Sequence, residues 1–215
     1  HVYASSMALH LAVYCKGQLN ILERYRPDTV LDCIADARIT LLPVGPTIFH
    51  GLMAYEGFAE ADFSSLRVAY SGSAPLPEET LRRWEQATGC PILEVYGQSE
   101  AGPVVSVVHE GVTMIAGSVG QPLIDTIVQI VDVETGTNIL AAGEQGEIRV
   151  QGPQIMSGYR NRPDETAEAL RDGWLYTGDI GELDQAGNLF IRDRKKDMVI
   201  VGGYNVYPRE IDEVL

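Results

Sequence analysis

Over the first hundred residues, short continuous apolar runs alternate with longer amphipathic stretches, a pattern that predicts strands and helices in turn. Residues 7–14 are apolar almost throughout and predict a buried helix. Asp28 is placed to cap a helix running to Ala37, its apolar face drawn from residues 29–35. Ile39-Thr40-Leu41-Leu42-Pro43-Val44 reads as a short buried strand. Pro46 suits the first position of the next helix, where its missing N–H would be unpaired anyway. Leu66-Arg67-Val68-Ala69-Tyr70 predicts a second strand, residues 71–77 a turn, residues 78–88 a helix that Gly89 would end, and Ile92, Leu93 and Val95 a third strand. Strand, helix and strand in that order imply a right-handed crossover in a parallel sheet.

After Gly102 the helical period fades. Short β-rich runs separated by glycines replace it, at 126–133, 146–150, 178–183 and 189–192. Gln185-Ala186-Gly187-Asn188 supplies a hairpin turn between the last two, and Arg162-Pro163-Asp164-Glu165-Thr166 opens one short helix that would end near Gly173. The expected organisation is therefore an α/β parallel-sheet subdomain over 1–103, a β-rich, barrel-like subdomain over 104–192, and a hinge with the start of a C-terminal α+β domain over 193–215. Residues 210–215 read as the first turn of a helix beyond Pro208. A first residue other than methionine and that unfinished helix suggest an internal piece of a longer polypeptide.

Composition narrows the function. A formal charge of −14 over 215 residues opposes binding to phosphate backbones, so no nucleic-acid partner is expected. The three cysteines, Cys15, Cys33 and Cys90, are far apart and form no Cys-x-x-Cys pair, which indicates neither a disulfide framework nor a zinc site and suits the cytoplasm. No apolar run approaches the roughly 20 residues that span a bilayer.

Four segments carry candidate chemistry. Ser71-Gly72-Ser73-Ala74-Pro75-Leu76-Pro77 follows a strand, and its small residues would let backbone approach a ligand closely. Val95-Tyr96-Gly97-Gln98-Ser99-Glu100-Ala101-Gly102-Pro103 follows another, where an open α/β sheet takes its ligand. Tyr96 offers a flat face for a base, while Ser99 and Glu100 offer the hard oxygens that magnesium prefers. Taken alone, this segment reads equally well as a strand, a glycine turn and one solvated glutamate. In Tyr176-Thr177-Gly178-Asp179, the carboxylate can accept hydrogen bonds from two neighbouring hydroxyls. In Arg192-Asp193-Arg194-Lys195-Lys196-Asp197, a basic cluster joins two predicted subdomains before Gly202 and Gly203.

In this order and spacing, the segments Tyr-Gly-x-Ser-Glu, Tyr-Thr-Gly-Asp and Asp-Arg-x-Lys-Asp-x-x-x-x-Gly-Gly resemble the adenylate-forming superfamily of acyl-CoA synthetases, firefly-type luciferases and nonribosomal adenylation domains. Gly-Gly-Tyr-Asn-Val-Tyr-Pro-Arg-Glu-Ile-Asp-Glu-Val-Leu is most similar to fatty acyl-CoA ligases. The resemblance implies an AMP-forming acid:CoA ligase using ATP, Mg2+ and coenzyme A on a small carboxylic acid, most readily a fatty acid. Gly72, Ser73, Ala74, Tyr96 and Gly97 would line the nucleotide, Tyr96 stacking on its base. Ser99 would contact phosphate, Glu100 would hold magnesium, and Asp179 and Arg194 would bind the ribose hydroxyls. Lys196 would be the hinge, Gly202 and Gly203 would border the pantetheine tunnel, and His1, Tyr3 and Gly102 would belong to the acid pocket.

The same resemblance places a phosphate loop before His1 and a lysine-bearing domain after Leu215, so the segment alone is expected to lack ligase turnover. Within the enzyme class an aryl- or dicarboxylic-acid ligase and an amino-acid adenylation domain remain open. Outside it, a noncatalytic nucleotide-binding module does. A peripheral membrane contact would suit a fatty substrate, and the sequence leaves the oligomeric state open.

Overall fold

The computed structural model describes residues 2–109, 111, 115–197, 199–201 and 204–206. The chain divides into two units, His1–Gly97 with Val108–Ala116 and Gln98–Val107 with Gly117–Leu215.

The first unit opens with helix α1 (Val2–Ala4), a wider π-helical stretch (Ser5–His10) and helix α2 (Leu11–Tyr14). The run at 7–14 is helical, but the expected burial is corrected: none of these residues is buried, and Val13 and Tyr14 are 70% and 87% exposed. Apolar side chains stand on every side of this helix, whereas a helix flanking a sheet turns only one stripe inward.

Helix α3 (Pro27–Asp36) begins one residue before the expected cap. Pro27 takes the first helical position, Arg26 is the boundary residue, and Asp28 lies in the first turn, its carboxylate accepting the Thr29 N–H at 2.7 Å. The fixed φ of proline selects that start. Strand β1 (Leu41–Val44) is shorter than the sequence suggested and only half-buried, because it ends the strand order with β2 (Val68–Ser71) as its neighbour. Helix α4 (Pro46–Met53) starts at its proline as expected, and α5 (Glu78–Thr88) ends at Gly89, whose φ is +68°. Strand β3 (Ile92–Tyr96) lies parallel to β2, as β2 does to β1. Trp84 of α5, fully buried, anchors this unit: the rings of Phe49, Phe58 and Phe63 meet it at centroid distances of 4.9, 5.8 and 5.7 Å.

In the second unit β4 (Ser106–Val107) pairs antiparallel with β5 (Gln121–Pro122). An antiparallel, barrel-like sheet follows, from β6 (Ile127–Val131), β7 (Gly146–Gln151), β8 (Leu170–Arg171), β9 (Trp174–Leu183) and β10 (Leu189–Arg194), in the order β10-β9-β7-β6 with β8 also on β9. Helix α6 (Pro163–Ala169) ends at Leu170, which turns extended to enter β8, so the expected end near Gly173 is corrected. Strand β9 also starts at Trp174 rather than Gly178, since Trp174 and Leu175 pair with β8. The hairpin at 185–188 is present: the Asp184 N–H donates to Asn188 O at 3.0 Å and that of Gly187 to Asp184 O at 3.1 Å. Beyond a helical turn at Lys195–Asp197, β11 (Val199–Val201) pairs antiparallel with β12 (Tyr204–Val206). The expected helix at 210–215 lies outside the described residues.

Gly181 of β9 has no room for a side chain: a Cβ there would lie 2.5 Å from Phe190 O and 2.8 Å from Ile148 Cδ1. Gly187, with φ +83°, has nothing within 4 Å. Gly181→Ala should cost about 3 kcal/mol through overpacking. Gly187→Ala should cost only about 1 kcal/mol through left-handed backbone strain. Urea midpoints at unchanged m-value would read the difference.

The loop after β6 carries a pH-dependent contribution. The backbone N–H groups of Thr135, Asn138 and Thr137 donate to the Asp132 carboxylate at 2.7, 2.9 and 3.2 Å and hold it well below the usual carboxylate range. A folded value below the unfolded one means stability that is present above pH 3.8 and lost as pH falls toward the folded value. Asp132→Ala should therefore lower the melting temperature at pH 7, with the gap to the parent closing below pH 3.8.

Candidate active site

In the first unit, Gly72 follows β2 and Tyr96 ends β3, so both lie at the carboxyl ends of adjacent parallel strands. Gly72 is buried and donates its N–H to Val44 O at 3.3 Å; a Cβ on it would come within 2.8 Å of Val95 Cγ2 and 3.3 Å of the Tyr3 ring. Only glycine fits there. The structure thus brings Tyr3 and Gly72 together, and burial pushes the Tyr3 phenol well up while its hydroxyl donates a long hydrogen bond to Tyr70 O at 3.4 Å. Ser73 holds a left-handed φ of +74°, and Ser73 and Ala74 are exposed. Beside them the Ser71 hydroxyl is buried with no hydrogen-bond partner among the described residues. An orphaned hydroxyl at the end of a strand fits a polar ligand edge.

The Tyr-Gly-Gln-Ser-Glu segment passes from the first unit to the second between Gly97 and Gln98. Ser99–Ala101 forms a single 3₁₀ turn closed by Gly102 at φ +76°, where a Cβ would meet Gln154 O at 2.8 Å. Glu100, half-buried, is held at both ends. Its carbonyl accepts the Met156 N–H at 2.8 Å, and its Oε1 accepts the Tyr159 hydroxyl at 2.7 Å. Burial and that carboxylate push the Tyr159 phenol up to about 12. Gln98 Nε2, just before this turn, is a second buried polar atom with no partner among the described residues.

Asp179 and Arg194 face each other across β9 and β10, with Arg194 Nε 3.6 Å from Asp179 Oδ1. The Asp179 side chain is 13% exposed and that of Arg194 64%, so a mostly buried carboxylate sits under an accessible guanidinium. Thr177 sets the local geometry: its hydroxyl donates to Ile148 O at 2.8 Å and accepts the Asp179 N–H at 3.1 Å. Lys196 is exposed on the Lys195–Asp197 turn. Gly202, Gly203 and His1 lie outside the described residues.

Two contacts were not anticipated. Lys195 reaches back 2.7 Å to Glu147 Oε2 on β7, a side chain only 4% exposed, and Tyr159 reaches Glu100 from 59 residues away. Neither pairing leaves a local signature. Glu147 is a charged residue at the start of β7, before the alternating Ile148-Arg149-Val150-Gln151, and Ser157-Gly158-Tyr159 is a glycine-containing segment bearing one aromatic; neither points to its distant partner. Among the described residues no helix is long and apolar enough to cross a membrane.

The glycine and tyrosine at the strand ends lie in the first unit, and the Glu100 turn and the Asp179–Arg194 pair lie in the second. Residues 1–160 match the family described as AMP-binding enzyme, and the chain belongs to that family. All 215 residues align at 42% identity with the long-chain-fatty-acid–CoA ligase of Bacillus subtilis, over 38% of that protein. The whole chain also aligns at 36% identity with a feruloyl-CoA synthase from Amycolatopsis, over 43% of its length. The crystal structure of ATP-bound MatB from Rhodopseudomonas palustris superposes with a TM-score of 0.89 at 34% identity, over 99% of this chain and 42% of that one. The chain therefore spans about two fifths of the relatives it matches.

Removing the Lys195 ammonium would leave the Glu147 carboxylate buried without its partner, which is more damaging than losing both charges. Lys195→Met should cost about 2–3 kcal/mol, below the fully buried case because the lysine is partly solvated. Adding Glu147→Gln should recover about half of it. A double-mutant cycle on denaturation midpoints measures both.

Proposed function

We infer that the full-length protein is an ATP-dependent carboxylic acid:CoA ligase acting on fatty acids. The acid is first joined to AMP with loss of pyrophosphate, and the acyl group then passes to the CoA thiol. The observation that carries this reading is alignment over the entire chain, at 42% identity, with a long-chain-fatty-acid–CoA ligase. The feruloyl-CoA synthase match, also across the whole chain, supports an aryl acid as the second reading.

In this reading Gly72, Ser73, Ala74, Tyr96 and Gly97 receive the nucleotide, and the orphaned Ser71 hydroxyl is a polar atom it would satisfy. Asp179 and Arg194 take the ribose hydroxyls, the carboxylate as acceptor and the guanidinium as donor. The donor set suits magnesium: Glu100 and Ser99 offer hard oxygens, and among the described residues no cluster of three or more His, Cys, Asp or Glu would enclose a metal alone. Bound there with phosphate oxygens, magnesium would neutralise charge on the transferring group. Tyr3, Gly102 and His1 border the acid, and Gly202 and Gly203 the CoA thiol's approach. Lys196 is the hinge of a C-terminal domain that begins at 193, after the barrel-like subdomain of 104–192 and the α/β subdomain of 1–103. The protein works in the cytoplasm, with peripheral membrane contact where a fatty acid is drawn from lipid.

Acid-dependent exchange of labelled pyrophosphate into ATP by the full-length protein tests this. Fatty acids should support exchange while aryl, dicarboxylic and amino acids should not, and Glu100→Ala should lower it about 100- to 1,000-fold. Exchange only with aryl acids would select the second reading. ATP binding without exchange for any acid would leave a noncatalytic nucleotide-binding module.

A further inference from the structure

Glu100 is one carboxylate on a single 3₁₀ turn, and a turn that short does not by itself fix a side-chain torsion. Its environment does. The segment 154–159 lies against residues 99–104 at four points. Gln154 crowds the Gly102 Cα and donates from Nε2 to Val104 O at 3.5 Å, the Met156 N–H holds the Glu100 carbonyl at 2.8 Å, and the Tyr159 hydroxyl holds Glu100 Oε1 at 2.7 Å. Gln154 Nε2 also donates to Thr126 Oγ1 at 2.8 Å, which ties that end of the segment to the loop before β6. Tyr159 is itself anchored: its N–H donates to Thr166 Oγ1 at 2.9 Å, and that hydroxyl donates to Arg162 O at 2.6 Å in the first turns of α6.

We propose that Tyr159 is a positioning residue for the magnesium-binding carboxylate, holding Glu100 Oε1 so that Glu100 meets the cation through Oε2. The inference rests on the reading of Glu100 as the metal's protein ligand. A carboxylate that binds a metal through one oxygen gains from a donor fixed on the other, which sets its rotation and lowers the cost of ordering it on binding. A phenol supplies this without adding a competing charge. Phenylalanine at 159 would keep the ring and remove only the hydrogen bond. Loss of such an outer partner typically weakens metal affinity about 10- to 100-fold.

The test uses the full-length protein with Mn2+ as a paramagnetic probe. Free and bound Mn2+ are followed by EPR in the presence of saturating ATP, and ATP affinity is measured separately without metal. Tyr159→Phe should weaken Mn2+ binding at least tenfold, leave metal-free ATP affinity and the melting temperature near those of the parent, and raise the magnesium concentration for half-maximal exchange while the rate at saturating magnesium recovers. Thr166→Val, which loosens the anchor of Tyr159, should shift Mn2+ binding in the same direction by a smaller factor. Unchanged Mn2+ affinity in Tyr159→Phe, with Glu100→Ala strongly impaired, would overturn the positioning role alone. Unchanged affinity in Glu100→Ala as well would overturn the metal reading beneath it. An equal loss of metal-free ATP affinity in Tyr159→Phe would assign the tyrosine to nucleotide binding instead.

Discussion

Strand β9 is the constraint on which the second unit depends. Residues 174–176 and 179–183 of it pair with β7, β8 or β10, and Leu175, Ile180 and Gly181 are paired on both sides. A backbone fixed on both sides leaves little freedom for the side chains it presents, and a residue at the wrong size is rejected, as at Gly181. Asp179 stands next to this doubly paired stretch, where β7 and β9 shift register, and the β9–β10 register sets it opposite Arg194. The register shift between Ile191 and Asp193 lies within this hairpin, so the bulge helps set which β10 residue faces Asp179.

The first unit solves a different problem, the placing of two loops at the same end of neighbouring strands. Its means are a buried aromatic cluster about Trp84 and a hydrogen bond between His50 Nε2 and Thr80 Oγ1 at 2.6 Å, which links α4 to α5. With the helices fixed, the chain leaving β2 must turn at Gly72 under the Tyr3 ring. The glycine is thus dictated by packing, whereas Ser73 and Ala74 after it are exposed.

Much of this was legible in the sequence because its causes are local. Proline at the first helical position, glycine at the end of α5 and the Asp184–Asn188 turn act over a few residues, and each was read correctly or within one residue. The misreadings have non-local causes. The burial of residues 7–14 depends on what faces them, and the start of β9 depends on β8 as its partner. Glu100, Asp179 and Arg194 were visible as motif residues, and the structure adds the Asp179–Arg194 pairing. The contacts of Tyr159 and Glu147 span 59 and 48 residues, and no periodicity reports a contact of that separation.

The clamp on Lys195 also has a mechanical side. Lys195 is tied to β7 through a nearly buried carboxylate, while its neighbour Lys196 is exposed. A swivel at Lys196, as proposed, would therefore have a stator ending one residue before the bearing. Torque from a moving domain would then be spent on the φ and ψ of a single lysine instead of being dissipated by unpeeling the end of β10.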